Sequence, residues 1–319
     1  FEVDLKKIKK KMSNSSNNEF KFGFADTSQI YFQTASAPDQ PPSYNESKTY
    51  ASAHVGDETA QLLDSNTLFQ QIKAKYEISK EFSDKLQLLQ GFKIVFIFDD
   101  SGSMNTVLQD SPLNQPNSLK ATRWDELRYF ANISIEIASL FDPTGCDIYF
   151  LNRPPVKNLK LENLNEFLGL FTSSVPNGYT PLTKRLNEVL NDNLNLVKSE
   201  RKLLILIVTD GEPTTDEGNV DIKQFKRSLK SRHPIERIFT TIVACTDDDA
   251  SISYLNKWDR ELKHLDVVDD FRNEREEIRK VRGQRYRFSY GDYVVKSLVG
   301  SVDPTLDELD ENGDCCVLI

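Results

Sequence analysis

The chain has 319 residues, of which 38% are hydrophobic, and it carries a formal net charge of −9 with a sequence pI near 5.1. This length and apolar content suffice for one sizeable hydrophobic core with tails. The acidic balance and the lack of a basic stripe argue against a nucleic-acid-binding protein. The sequence also predicts no transmembrane helix, because it has no run of about eighteen apolar residues. It predicts no secretory signal, because no apolar stretch follows the amino-terminal lysines.

The amino-terminal region, residues 1–66, is predicted to be disordered. From residue 12 onward it is rich in Ser, Asn, Gln, Asp and Pro and has no helical or strand periodicity. It contains Pro41-Pro42-Ser43-Tyr44, which resembles the PPxY ligand of WW domains, a polyproline II turn that docks on aromatic grooves. The segment could equally be a Pro-rich linker that contains a tyrosine by chance, because short motifs recur often.

A helix and a buried strand are predicted to open the folded region. Apolar residues recur close to helical spacing over residues 67–90, which predicts a helix that packs against the sheet and ends at Gly91. Ile94–Phe98 then supplies five consecutive apolar residues, rich in β-branched and aromatic types. Such a run is typical of a parallel strand that is buried on both faces.

Three oxygen-bearing side chains follow this strand directly. Asp99, Ser101 and Ser103 alternate along the chain at the predicted carboxyl end of a central strand, which is where open α/β sheets place their ligand sites. A carboxylate and two hydroxyls are hard donors, and no thiol or imidazole stands among them. This chemistry favours Mg²⁺ or Mn²⁺ over zinc.

Helices and strands are predicted to alternate through the rest of the folded region, residues 67–300. A long polar loop at 105–121 is followed by a predicted helix capped by Thr122, a strand at 146–151, helices at 161–171 and 181–197, and a strand at 203–208. A helix at about 220–231 comes next, and then strands at 238–245 and 265–268 on either side of a helix at 249–262. A charged stretch at 271–287 precedes a closing segment at 292–299. The alternating charges of residues 271–287 predict a solvated helix face. The whole pattern predicts an α/β fold with a doubly wound, mostly parallel sheet flanked by helices on both faces.

Two later polar stretches add oxygen donors of the same kind. Thr180 stands at a predicted loop-to-helix turn and is followed by Pro181, which suits the first turn of a helix. The amino terminus of that helix would then point at the site. Asp210 follows the second predicted buried strand, Leu203–Val208, by two positions.

The five positions Asp99, Ser101, Ser103, Thr180 and Asp210 occur in the order D-x-S-x-S, then T, then D. Through these five positions and their order, the sequence resembles the von Willebrand factor A-type (vWA) domain over about residues 67–300. The resemblance implies a Rossmann-like vWA fold and a metal-ion-dependent adhesion site for one Mg²⁺ or Mn²⁺. It also implies that the serines and the threonine bind the metal directly, and the aspartates directly or through water. An Asp or Glu of a protein partner would fill the remaining coordination position.

The function implied by this resemblance is non-enzymatic, metal-dependent binding of a protein that exposes an acidic group, with no small-molecule substrate. A metal-dependent hydrolase is a competing interpretation, since a metal with an open position activates water. However, His54, His233 and His264 are distant in sequence from these motifs, and no Gly-rich phosphate loop is present. The motif is also compatible with a purely structural ion, and the chain with a ubiquitin-ligase adaptor that acts through the PPxY motif.

The carboxyl-terminal tail, residues 301–319, is predicted to carry a lipid anchor. Its last four residues resemble a C-a-a-X prenylation box with Cys316 as the acceptor, and Cys315 is a candidate for palmitoylation. The same residues could also be an accidental terminus. The other two cysteines, Cys146 and Cys245, are predicted to be buried thiols in strands. Without a disulfide framework, the sequence predicts a cytoplasmic protein held peripherally on the cytoplasmic face of a membrane.

Overall fold

The structure, a computed structural model, describes residues 57–115, 119–246, 254–255 and 258–307. The PPxY motif at Pro41–Tyr44 and the terminal Cys315 and Cys316 lie outside the described residues. So does half of the helix predicted at 249–262. Of its described residues, Trp258–Glu261 are helical, whereas 254–255 form a turn. The predictions for residues outside the described ranges therefore stay predictions.

Six strands form one sheet at the centre of the fold. They are β1 Lys93–Phe98, β2 Cys146–Phe150, β3 Val156–Leu159, β4 Leu203–Thr209, β5 Ile238–Ala244 and β6 Leu265–Val268. Their spatial order is β3-β2-β1-β4-β5-β6. All neighbouring strands pair in parallel except β3, which pairs antiparallel with β2 at one edge. The prediction of an α/β fold with a mostly parallel sheet is confirmed.

Helices surround this sheet. They are α1 Asp57–Lys75, α2 Lys80–Lys85, α3 Arg123–Ala138, α4 Leu164–Ser173, α5 Leu182–Asp192, α6 Leu194–Lys198, α7 Ile222–Lys230, α8 Trp258–Glu261, α9 Phe271–Arg282, α10 Tyr290–Val299 and α11 Pro304–Asp307. Short 3₁₀ segments occur at Leu86–Leu89, Gly102–Asn105, Leu161–Asn163 and Ile235–Arg237. None of the described helices is long and apolar enough to cross a membrane.

Alternate residues of β1 belong to two different clusters of buried side chains. Ile94, Phe96 and Phe98 pack in a cluster that includes residues of α3, α4 and α10, whereas Val95 and Ile97 pack in one that includes residues of α5, α7 and α8. Side chains alternate across a strand, so a strand that is apolar at every position has apolar neighbours on both sides. This explains why every residue of β1 and β4 is buried.

The helix predicted at 67–90 is interrupted in the structure. A break separates α1 from α2, and within it Glu77 has a φ of 53°, in the left-handed region that ends a regular helix. The Ser79 hydroxyl then accepts a hydrogen bond from the Phe82 amide and caps α2. The apolar period continues through the break, so periodicity by itself does not reveal it.

Two further differences concern a helix and an edge strand. The helix predicted at 181–197 is divided into α5 and α6 at Asn193, whose side-chain amide donates to the Val189 carbonyl at 2.8 Å. The sequence pattern does not predict β3, because its middle residues Lys157 and Asn158 are exposed and interrupt the apolar run. Edge strands need no continuous apolar pattern, since fewer of their residues are buried.

The charged helix α9 is not fully solvated. Glu274 is buried, and its carboxylate lies 2.6 Å from the ammonium group of Lys296 on α10, which is also buried. Breaking a buried pair of this kind is costly because it leaves an uncompensated charge. The pair therefore holds α9 against α10, and the prediction of a solvated face is wrong at Glu274.

Candidate metal centre

β1 and β4 bring two of the predicted ligands to the same edge of the sheet. The two strands are parallel and in register, with Phe98 beside Val208. The segments that follow them therefore leave the sheet together, and the Asp99 amide donates to the Val208 carbonyl at 2.9 Å. Asp99 and Asp210 both lie at this carboxyl edge, where open α/β sheets place their ligand sites.

The Asp99 carboxylate is fully buried and is held by two hydrogen bonds. Its Oδ1 accepts from the Ser101 amide at 2.9 Å, and its Oδ2 accepts from the Thr209 hydroxyl at 2.6 Å. Thr209 is the last residue of β4, and the sequence motif does not include it. Hydrogen bonds of this kind fix the orientation of a carboxylate that faces a cation.

Ser101, Ser103 and Asp210 form a continuous hydrogen-bonded chain. The two serine hydroxyl oxygens are 3.0 Å apart, and the Ser103 hydroxyl donates to Asp210 Oδ1 at 2.7 Å. The 3₁₀ turn at Gly102–Asn105 begins between the two serines and curls the chain back toward Asp210. Ser103 is exposed, whereas Ser101 and Asp210 are buried. The chain therefore opens to solvent at Ser103.

Thr180 lies on an adjacent loop that is attached to the serine loop through the main chain. The Gly102 amide donates to the Gly178 carbonyl at 3.1 Å, and Thr180 is joined to Thr214 by two hydrogen bonds of 2.9 Å. These bonds use the amide and carbonyl of Thr180 and do not engage its hydroxyl. Gly178 has a φ of 104°, and a Cβ there would lie 2.6 Å from the Asn152 side chain, so the loop requires glycine.

Arg123 belongs to the site although the motif does not reveal it. Its Nη1 lies 2.9 Å from Asp210 Oδ2, and its Nη2 donates to the Thr246 hydroxyl at 2.7 Å. Arg123 is the first residue of α3, whose amino terminus is fixed by a capping box between Thr122 and Asp125. The guanidinium therefore places a permanent positive charge against one of the two carboxylates.

The site places two carboxylates, Asp99 and Asp210, beside one guanidinium, that of Arg123. Burial, together with the neighbouring charge of Asp210, raises the pKa of Asp99 to about 7. With both acids ionised, the charges of Asp99, Asp210 and Arg123 sum to −1. A divalent cation beside the two carboxylates would relieve their repulsion, so the charge balance fits a bound metal.

The neighbouring acid Asp100 faces away from these donors. Its Oδ1 accepts from the Asn152 amide at 2.7 Å, and its Oδ2 lies 3.0 Å from Arg153 Nε. Burial raises the pKa of Asp100, although both contacts favour the ionised form. Asp100 thus joins the end of β1 to the loop after β2. The other nearby acid, Glu212, is exposed.

Imidazoles and thiols add nothing to the donor set among the described residues. His233 and His264 precede β5 and β6, at the opposite end of the sheet. Cys146 is buried in β2, as predicted. Cys245 lies one residue beyond β5 and is half-buried, and burial raises the pKa of its thiol well above the usual value. The thiolate that would bind a metal is therefore disfavoured.

The donor chemistry indicates which ion the residues fit. In the part of the chain that the structure describes, no three His, Cys, Asp or Glu side chains are grouped as a metal site. The candidate set differs in composition, because it combines two carboxylates with three hydroxyls. Oxygen donors of this kind suit a hard cation that retains part of its hydration shell, as Mg²⁺ does.

Comparisons with known proteins identify no family for this chain, because neither a family model nor a curated protein matches it. Among solved structures, the PilB minor pilin from Streptococcus sanguinis matches with 14% sequence identity and a TM-score of 0.42. The match covers 69% of this chain and 62% of the pilin chain. It thus spans less than two thirds of the pilin, and the likeness carries no argument about function.

Proposed function

We propose that the protein is a vWA-type, metal-dependent protein-binding module without catalytic activity. The observation that carries this proposal is the chain of contacts from Asp99 through Ser101 and Ser103 to Asp210. Ser103 and Asp210 are 107 positions apart in sequence, so their contact is a product of the fold. Residues of one chemical kind that converge in this way at a ligand-binding edge favour a common ligand.

The proposal includes the doubly wound form of the sheet. The strand order runs outward in both directions from β1 and β4, and the buried residues of β1 alternate between two clusters that include helix residues. In sheets of this kind, ligands bind at the switch point, outside the carboxyl ends of the central strands. Asp99 and Asp210 follow β1 and β4 at that point.

The donor set supports a partner that carries an acidic group. One Mg²⁺ or Mn²⁺ would supply residual positive charge, because three of the five donors are neutral. The donors are Asp99, Ser101, Ser103, Thr180 and Asp210. A carboxylate from another protein is the group that this charge attracts. Since Ser103 is the exposed member, the partner's Asp or Glu approaches from its side.

Hydrolysis by a metal-activated water is the competing function. The Asp99 carboxylate accepts a hydrogen bond from the Thr209 hydroxyl, and the Asp210 carboxylate is paired with the Arg123 guanidinium. A general base must be within reach of the proton that it removes and have an oxygen available to accept it. A carboxylate that binds the metal is not free to act as this base, and the described histidines, His233 and His264, lie at the opposite end of the sheet, so the arrangement favours binding over hydrolysis.

Titration calorimetry with Mn²⁺ tests the proposal, with Asp100 as the matched control. Asp99→Ala should weaken Mn²⁺ binding by at least about 100-fold, since a loss of even an indirect carboxylate contact costs about 10–100-fold. Asp100→Ala removes an adjacent buried acid that contacts Asn152 and Arg153 and none of the proposed donors, so it should lower Mn²⁺ affinity far less than Asp99→Ala does. Capture of the protein on a resin that carries a Glu-containing peptide should require Mn²⁺ and cease with EDTA.

Two outcomes would overturn this proposal. Equal loss of Mn²⁺ affinity in the Asp99 and Asp100 variants would mean that both changes act through the fold. Mn²⁺-dependent hydrolysis of a generic ester or phosphate by the wild-type protein, abolished in Asp99→Ala, would favour the enzyme instead.

We also propose that the tail holds the protein on the cytoplasmic face of a membrane through a prenyl group on Cys316 and a palmitoyl group on Cys315. One prenyl chain provides only marginal, reversible attachment, so a second signal is needed. Cys316→Ser should move the protein from the membrane fraction of cells to the cytosol, and an unchanged distribution would rule out this anchor.

The motif at Pro41, Pro42 and Tyr44 stays a proposed WW-domain ligand. Tyr44→Ala should abolish capture by an isolated WW domain and leave Mn²⁺ binding intact, because the motif precedes the folded region. Capture that is unaffected by Tyr44→Ala would leave the segment as a linker.

A further inference from the structure

A cluster of basic side chains lies at the amino end of the sheet, away from the candidate metal centre. Lys202 precedes β4, Arg237 precedes β5 and Lys263 lies two residues before β6, so the parallel strands bring these residues to one edge. The last residues of α6 and α7 and the residue before Lys202 are also basic. Together these residues form the basic patch, which consists of Lys198, Arg201, Lys202, Lys230, Arg237 and Lys263.

Contacts with the sheet hold much of this patch in place. The Lys202 ammonium lies 5.3 Å from the centre of the Phe92 ring and 5.7 Å from that of Phe239. The Arg237 guanidinium donates to the Val197 carbonyl at 3.0 Å, which places it beside the end of α6. Buried Arg232 donates to the Lys263 carbonyl at 2.8 Å and so fixes the position of that residue.

The basic patch has more cations than nearby acids. Glu200 lies 3.4 Å from Arg237 and Glu236 lies 3.9 Å from Lys263, and both acids are largely exposed. The buried Asp142 lies 2.8 Å from Arg201, so three acids pair with three of the six cations. In the described part of the chain, no ion pair involves the other exposed members, Lys198, Lys202 and Lys230. This local excess of positive charge contrasts with the net charge of −9 on the whole chain.

His264 lies beside the basic patch, between Lys263 and the start of β6. Burial lowers the pKa of His264, and the charges of Lys263 and Arg232 lower it further. His264 lies against the Phe239 ring, with 4.4 Å between the ring centres. Burial is the main cause of this lowered pKa, and the two cations add to it.

The last described element lies near the same end of the domain. The Lys85 ammonium is 2.5 Å from Asp303 Oδ2 and 2.9 Å from the Thr305 hydroxyl, which attaches α11 to α2. The chain after α2 leads within a few residues to Gly91, whose carbonyl accepts a hydrogen bond from Arg201 Nε at 3.2 Å. The polypeptide therefore enters its tail close to the basic patch.

We infer that the basic patch docks on the anionic surface of a lipid bilayer and adds an electrostatic attachment signal to the lipids proposed at Cys315 and Cys316. This inference rests on the membrane anchor proposed above. Residues 301–314 contain six acids and no base, so the tail has no polybasic segment of the kind that usually assists a prenyl group. The folded domain supplies the missing positive charge at the end where the tail begins.

Anionic lipid fits the patch better than nucleic acid. Proteins that bind single strands combine positive charge with exposed aromatic rings on which bases stack. The aromatic rings at this patch, Phe92 and Phe239, are buried beneath Lys202. Cations on flexible stems over a closed apolar base match a layer of phosphate and carboxylate headgroups.

Docking through the basic patch also orients the candidate metal centre. Lys202 precedes β4 and Asp210 follows it, and the seven residues between them span about 23 Å at 3.3 Å per residue. The donors Asp99 and Asp210 therefore point away from a bilayer that the patch contacts. A partner with an acidic group would be captured from the cytosol or from the surface of another membrane-bound protein.

Vesicle binding of the full-length, unlipidated protein tests this inference. Vesicles of phosphatidylcholine with about 30% phosphatidylserine should bind the wild-type protein at least about tenfold more tightly than vesicles of phosphatidylcholine alone. Raising the salt from about 0.1 M to about 0.5 M should abolish the preference, because screening weakens contacts between exposed charges. The salt arm requires no variant and is independent of any effect on folding.

A charge-matched pair of triple variants locates the binding surface. Lys198→Glu/Lys202→Glu/Lys230→Glu should lose the preference for anionic vesicles. Lys120→Glu/Lys184→Glu/Lys223→Glu changes the net charge equally at exposed positions outside the patch and should retain it. Both variants should bind Mn²⁺ like the wild type, so a failure here is distinguishable from a failure of the metal site or of the Cys316 anchor.

Several results would overturn the inference. Equal affinity of the wild type for neutral and anionic vesicles would do so, and so would equal losses in both triple variants. Binding that appears only after Glu308→Gln/Asp310→Asn/Glu311→Gln would show that the acidic tail occupies the basic patch instead. Tighter capture of a single-stranded RNA oligonucleotide than of anionic vesicles would assign the patch to nucleic acid.

Discussion

The two ends of the central sheet both bury charged side chains, but they balance the charges differently. At the amino end, the Lys93 ammonium lies 2.9 Å from Asp147 and 3.8 Å from Asp142, and the Arg201 guanidinium lies 2.8 Å from Asp142. Lys93 and Arg201 thus face the two carboxylates, and the more exposed Lys157 adds a third cation 3.6 Å from Asp147. At the carboxyl end, Arg123 places one positive charge against the pair of carboxylates formed by Asp99 and Asp210.

The difference indicates which of these two buried charge clusters is structural and which is prepared for a cation. A buried network whose charges and hydrogen bonds are matched rigidifies the fold and needs nothing from outside. A buried pair of carboxylates beside one counter-charge retains a net negative charge, which a divalent cation can compensate. The site edge also presents the Ser103 hydroxyl to solvent, whereas Lys93 and Asp142 are almost wholly buried.

The largest effect that follows from this comparison is on folding. Lys93→Met keeps the length of the side chain and removes its charge, which leaves Asp142 and Asp147 incompletely compensated in the interior. We expect the free energy of unfolding to fall by about 3–5 kcal/mol, as when one partner of a buried pair is removed. Urea denaturation in EDTA measures this change.

An exposed pair provides the control for this variant. Lys184 lies 2.7 Å from Asp216, with both side chains largely exposed, and Lys184→Ala should change stability by less than about 0.5 kcal/mol. If Lys93→Met costs no more than Lys184→Ala, the amino-end network is not a structural charge balance.

An effect of intermediate size is expected on metal affinity. Arg123→Gln removes the positive charge beside Asp210 and retains a polar side chain, so a cation at the site would no longer compete with the guanidinium. We expect Mn²⁺ to bind about tenfold more tightly, which corresponds to about 1.4 kcal/mol. Calorimetry with Arg123→Lys as the charge-preserving control measures it, and weaker binding in the Gln variant would show that Arg123 positions the carboxylate.

The smallest effect concerns the stability of the metal-free protein. Asp99→Asn removes one of the two repelling charges, and the Thr209 hydroxyl can rotate to accept a hydrogen bond from the new amide. We expect the variant to be more stable in EDTA by about 1 kcal/mol, because its buried amide carries no charge. Thermal unfolding in EDTA tests this, and a clear loss of stability would place Asp99 with the structural charges of the amino end.

The elements that the sequence predicts well are those with strong local patterns. β1, β4 and β5 consist almost wholly of apolar and β-branched residues, and the Thr122 cap of α3 forms the expected boundary. The elements that it misses depend on context. The break at Glu77 preserves the apolar period, and β3 is an edge strand whose middle residues are exposed.

The candidate site divides in the same way. The motif names Asp99, Ser103 and Asp210 because the spacing of oxygen donors after apolar strands is visible in one dimension. Arg123 has no such signal, since it is one of many charged residues at helix starts. Its contact with Asp210 spans 87 positions and exists because the fold sets the start of α3 beside the end of β4.

By itself the sequence determined the alternation of elements and the chemical kind of the donors, because apolar runs and side-chain oxygens are local properties of the chain. Only the tertiary structure decided which charges meet. The pairing of β1 with β4 placed Asp99 beside Thr209, and the packing of α9 on α10 buried Glu274 against Lys296. Parallel strands likewise collected scattered lysines and arginines into the basic patch, because contacts between distant residues depend on register and packing rather than on sequence spacing.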